Sequence, residues 1–195
     1  MRHSRIAVVL AALVLLVSSG VTAQSAQLWS LQFSGLGSAP FGGAFANLTP
    51  GWGWEGQLRV SPGTWSFGFG AEQTFHGVNE FDSRRVSLLG AFFEPRVVIF
   101  VGSEVAAPYL AARVALTRFT VTDESNESTA DGFTANGGGG LLVVLSDRVN
   151  LDLGVTVGYK QLGQGPGLLV SDNIVDWGSG ANAIGRVGLA IGLGG

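Results

Sequence analysis

The 195-residue chain has no cysteine, so disulfides, thiol nucleophiles and cysteine-ligated metals are all excluded. Charge is scarce, with Asp, Glu, Lys and Arg making up 13% of residues against about a quarter in an ordinary soluble domain. Histidine is nearly missing, since only His3 and His76 occur. Beyond the N-terminus there is no apolar run long enough for a membrane-spanning helix. What the chain has instead is glycine, 31 residues of it, and a 46% share of hydrophobic residues. An apolar chain without a helical span is a secreted protein, an unusually buried sheet protein, or a sheet closed within a membrane.

Met1 to Ala23 carries the three parts of an export signal. Arg2, His3 and Arg5 form a basic start, Ile6 to Val17 an apolar core, and Val21-Thr22-Ala23 a small-residue cleavage site. The core spans only ~18 Å at ~1.5 Å per helical residue, short of a ~30 Å hydrocarbon layer, so cleavage after Ala23 is expected. Residues 24–195 then form one domain. Without Arg2 and Arg5 it carries 9 basic and 14 acidic residues, a balance that argues against nucleic acid as a partner.

After Ala23 the apolar period is 2, in segments of ~9 to 14 residues, the length of a tilted membrane strand. Eight are expected, at 27–36, 52–61, 64–75, 86–99, 107–121, 133–145, 149–160 and 182–193. Trp52, Trp54, Leu58 and Val60 alternate with Gly53, Glu55, Gln57 and Arg59, and Trp65, Phe67, Phe69 and Ala71 with Ser66, Gly68, Gly70 and Glu72. Between these segments, Ser61-Pro62-Gly63-Thr64 suits a type II turn, because proline sets φ and glycine accepts a positive one. The connections alternate in length. Short ones lie at Ser61–Thr64, Phe100–Ala106 and Ser146–Arg148, and longer ones at Gly37–Gly51, His76–Arg85, Thr122–Gly132 and Gln161–Ala181.

With its signal, strand periodicity, aromatic placement and loop asymmetry, the mature chain resembles the eight-stranded outer-membrane β-barrel superfamily, typified by the membrane domain of outer membrane protein A. The resemblance implies an all-β, antiparallel, up-and-down transmembrane barrel in the bacterial outer membrane, with periplasmic turns and external loops. One departure is the C-terminus, Leu189 to Gly195, which lacks the terminal aromatic such barrels usually carry.

In a barrel of this kind the apolar parity faces lipid, and Trp29, Trp52, Trp54, Trp65, Tyr109 and Tyr159 are expected at the interfaces. The other parity carries Glu55, Arg59, Glu72, Glu94, Arg96, Arg113, Asp152 and Arg186, with Glu94 nearly opposite Arg113. Buried charges need partners, so these eight are read as an ionic network in a lumen too narrow for a general porin. Arg84, Arg85 and Arg118 fall at the external rim, where guanidinium can grip lipopolysaccharide phosphates. The lipid bilayer, and lipopolysaccharide through these three, are the expected partners of a monomeric barrel.

Other signals point to less. His76 is expected in the second external loop near Glu80, Asp82 and Ser83, as a solvated histidine or as the base of a lipid-modifying enzyme. The third loop carries Asp123, Glu124, Glu127 and Asp131 without the spacing of an EF-hand. The fourth, with Leu168, Leu169, Val170, Ile174, Val175 and Trp177, is too apolar to be simply solvated. Gly137 to Gly140 lacks the Lys and Ser/Thr of a phosphate loop. No catalytic residue, metal site or cofactor is assigned. The preferred function is structural or interaction-based; an envelope-lipid enzyme and a secreted lipocalin-like binding barrel are the alternatives.

Overall fold

A computed structural model of the chain describes residues 28–79, 81–123, 126–163 and 178–193. The expected signal, Glu80, Glu124 and the apolar residues 168–177 of the fourth loop lie outside these.

Eight antiparallel strands follow one another around a closed barrel: β1 (Trp29–Phe41), β2 (Gly51–Val60), β3 (Trp65–Val78), β4 (Phe81–Val98), β5 (Ala106–Asp123), β6 (Asn126–Ser146), β7 (Val149–Leu162) and β8 (Ser179–Leu193). Each strand pairs with its sequence neighbour. β8 returns to β1, from Trp29 opposite Leu193 to Phe41 opposite Ala181, so no open edge runs along the barrel wall. One 3-10 turn, Gly43–Phe45, sits between β1 and β2. At the other end, Gly63 adopts φ 68° between β2 and β3, the positive value the Pro62-Gly63 turn requires.

The period-2 pattern divides the side chains cleanly. On β5, Ala107, Tyr109, Ala111, Arg113, Ala115, Thr117 and Phe119 are buried inward, while Leu110, Val114 and Leu116 stand outside. Leu116 is 75% exposed and Val187 on β8 is 59% exposed, values that only an apolar solvent accommodates around a whole barrel. The outward face carries no charge along β5 from Ala106 until Arg118, roughly the 9–11 residues of a membrane-crossing strand. Trp29, Trp52, Trp54, Trp65 and Tyr159 lie on this outer face. A ligand-binding barrel of the lipocalin kind needs the reverse arrangement, with its apolar residues inside.

Two expected external loops shrink. β3 runs to Val78 and β4 starts at Phe81, while β5 runs to Asp123 and β6 starts at Asn126. Apolar alternation stops at the edge of the belt, but backbone pairing does not. Thr120, Val121 and Thr122 continue the ladder opposite Thr129, Ser128 and Glu127. Asp131 and Glu127 are therefore strand residues and not members of an acidic loop.

Candidate functional site: the lumen and the external rim

The strands bring the eight inward-facing charges expected from the sequence, Glu55, Arg59, Glu72, Glu94, Arg96, Arg113, Asp152 and Arg186, into one cluster. Glu94 on β4 is at its centre: it is fully buried, and its carboxylate meets four guanidiniums. Arg59 Nη1 lies 3.0 Å and Arg96 Nε 2.6 Å from Oε1, while Arg113 Nη2 lies 2.6 Å and Arg186 Nη1 3.0 Å from Oε2. Arg113 also reaches Glu55 at 2.8 Å and Glu72 at 2.6 Å. Arg96 reaches Asp152 at 2.8 Å, and Arg186 reaches Glu55 at 3.2 Å. Gln32 Nε2 donates to Asp152 at 2.6 Å, so the network ties together every strand except β6. Each carboxylate is shared among cations in a low-dielectric interior, the arrangement that lets buried charge persist.

Tyr109 belongs to this cluster and not to an interfacial belt. It is 2% exposed; its hydroxyl donates to Asp152 Oδ1 at 2.6 Å and accepts from Arg186 Nη2 at 3.0 Å. Arg96 stacks over its ring, 4.4 Å from the centroid. Parity explains the correction: Tyr109 shares the inward face of β5 with Arg113, and parity outweighs nearness to a strand end. Lys160, on the inward face of β7, is a buried charge that the expected network lacked. The alternation of β7 with Asp152 was the signal that could have found it.

Above the ionic cluster the lumen turns apolar. Phe45, Leu48, Val78, Val86, Leu88, Phe119 and Leu162 pack together as a buried cap at the end of the barrel opposite the Pro62-Gly63 turn. His76 sits beneath this region on the inward face of β3, 5% exposed, and not in a solvated loop. Its ring nitrogens lie 3.0 Å from the Thr49 carbonyl oxygen and 3.1 Å from Thr74 Oγ1. These contacts suit a structural histidine, and no carboxylate among the described residues hydrogen-bonds it.

The three rim arginines part company. Arg118 faces outward and is held by Asp131 across the β5–β6 pair, at 2.8 Å and 3.2 Å. That bond holds the Asp131 carboxyl below its ordinary range. Arg85 faces outward from β4 and, with Arg84, borders a groove of about 690 Å³ whose other walls include Trp52, Phe75, His76 and Thr122. Trp52 and Phe75 contact each other there, with ring centroids 5.1 Å apart. Arg118 pairs in register with Leu89, four residues along β4 from Arg85, or about 13 Å at ~3.3 Å per residue. The groove thus brings two arginines and two aromatic rings into one lining.

A closed eight-stranded antiparallel barrel, apolar outside and ionic within, defines a membrane β-barrel. Comparison with solved structures agrees. The chain is similar to Neisserial surface protein A (TM-score 0.62, 15% identity, 85% of this chain and 97% of that one). It is also similar to the outer membrane protein OprG from Pseudomonas aeruginosa (TM-score 0.57, 11% identity, 90% of this chain and 100% of that one). The fold is therefore that of the small eight-stranded outer-membrane β-barrels. No protein-family model matches the chain, and no curated protein matches it in sequence.

Proposed function

We propose that the mature chain is a non-enzymatic, integral outer-membrane protein with a plugged lumen, which stabilises the envelope and presents its external face to partners. Met1–Ala23 directs its export. The observation that carries this reading is the ionic cluster centred on Glu94, which links opposite walls through residues no more than 5% exposed. An eight-stranded ring has room for such side chains and little besides. Conductance of the purified protein in planar bilayers is the test: the expected record shows no steady openings, and large sustained openings would overturn the plug.

The external partner that the chemistry favours is lipopolysaccharide, through the groove bordered by Arg84 and Arg85. Guanidinium binds phosphate bidentately, and the Trp52–Phe75 pair suits the apolar part of a lipid at the membrane surface. Arg118 is the weaker contributor, because Asp131 already occupies its guanidinium. Replacing Arg84 and Arg85 together by Gln is expected to reduce the lipopolysaccharide phosphate that copurifies with the barrel several-fold, whereas Arg118→Gln leaves it nearly unchanged. Equal retention by the wild type and the Arg84/Arg85 variant would discard this partner.

A further inference from the structure

The buried lumen charges do not balance. Among the described buried residues, Arg59, Arg96, Arg113, Arg186 and Lys160 give five cations, against four carboxylates from Glu55, Glu72, Glu94 and Asp152. The excess falls on Lys160. Each arginine contacts at least one carboxylate, whereas Lys160 makes no ion pair or hydrogen bond among the described residues. Glu72, the carboxylate that acts on it, is engaged by Arg113 at 2.6 Å. An uncompensated ammonium in such a place is among the costliest features a fold can contain.

The surroundings of Lys160 point to what compensates it. Its next inward neighbour on β7 is Gly158, opposite Asn136 of β6 on one side and Asn182 of β8 on the other. A side chain at 158 would collide with the Asn136 carboxamide, so the missing Cβ leaves the space that carboxamide occupies. Asn136 and Asn182 are 5% and 1% exposed, yet none of their four side-chain polar atoms has a hydrogen-bond partner. Two unpartnered amides and one unpaired amine thus share a short stretch of lumen. Above them, Leu162 follows Lys160 on the same face, and the Phe45 ring lies over Gly180, the cross-strand partner of Lys160. Beside them, Arg113 of the ionic cluster is the cross-strand partner of Asn136.

We propose that this section of the lumen, between the ionic cluster and the apolar cap, is a binding site for one small inorganic anion. Lys160 Nζ is the charged ligand, and the amide N–H groups of Asn136 and Asn182 are flanking donors. The anion brings the buried charge to zero and satisfies donors that the barrel wall leaves unmatched. The site is independent of the external groove and does not rest on any activity of the protein.

Bromide is the probe. Crystals of the detergent-solubilised barrel grown in sodium bromide are expected to show one anomalous peak within hydrogen-bond reach of Lys160 Nζ, absent from Lys160→Met crystals. In solution at fixed ionic strength, the wild-type unfolding midpoint is expected to be about 3 °C higher in bromide than in gluconate, and the Lys160→Met midpoint equal in both. Where Lys160→Met does not fold, Lys160→Gln serves. No peak at Lys160, a peak that persists in the variant, or a peak without any difference between the two salts in solution would each overturn the site, the last as binding at crystal concentration only.

Discussion

Glu94→Gln is expected to cause the largest loss of stability of any conservative substitution in the lumen. The carboxylate is fully buried and touches Arg59, Arg96, Arg113 and Arg186. Neutralising it leaves four guanidiniums around an uncharged amide, and breaking a buried ion pair from one side costs about 3–5 kcal/mol. On a gel with unboiled samples, the temperature at which the compact band converts to the unfolded one is expected to fall by roughly 10 °C. Removing one surplus cation through Arg59→Met should restore part of that loss, since deleting both partners is far milder than deleting one. Arg118→Gln is the control: its pair with Asp131 is solvent-exposed, so no shift is expected. An unchanged midpoint for Glu94→Gln would mean that the cluster does not hold the barrel together.

The second large effect is expected from a change of one methyl group, Gly140→Ala on β6. A Cβ at 140 would collide with the Leu153 carbonyl oxygen and the Tyr109 hydroxyl. Backbone cannot yield as a flexible side chain does, and Tyr109 is fixed by Asp152 and Arg186. The β6–β7 pair must therefore part or the hydroxyl must leave the network, an overpacking cost of about 1–3 kcal/mol with the lost hydrogen bonds added. Gly137→Ala, on the same strand with nothing within 4 Å of the new Cβ, is expected to be nearly neutral. The ratio of folded to unfolded bands after detergent refolding measures both. Equal yields for the two variants would show that the close approach at Gly140 is not needed.

Much of the architecture was legible because strand alternation is a local property. The eight segments, their up-and-down order, the Pro62-Gly63 turn and the inward parity of Glu55, Arg113 and Arg186 follow from residues next to one another in the chain. The strand ends beyond the belt were not legible. There the ladder at Thr120–Asp123 and Asn126–Gly132 is held by backbone pairing, to which side-chain polarity contributes no pattern. Tyr109 and Lys160 were within reach, because each lies on a strand whose parity was clear; the expectation that tyrosines gather at interfaces outweighed the phase of β5.

By itself, then, the sequence determined which side chains enter the lumen, since pleating sends alternate residues to opposite faces whatever their neighbours do. Hairpin pairing brought Glu94 to Arg113, and closure of the barrel decided which charges meet across the ring. Contacts between Arg186 and Glu55, 131 positions apart, or between Gln32 and Asp152, 120 apart, depend on registers accumulated around the whole ring. Among the described residues, the same closure left Lys160 without an ion pair in the lumen, whereas Arg118 meets Asp131 through the register of the β5–β6 hairpin alone. Charge matching across a lumen is a property of strand stagger and barrel diameter, which no single strand encodes.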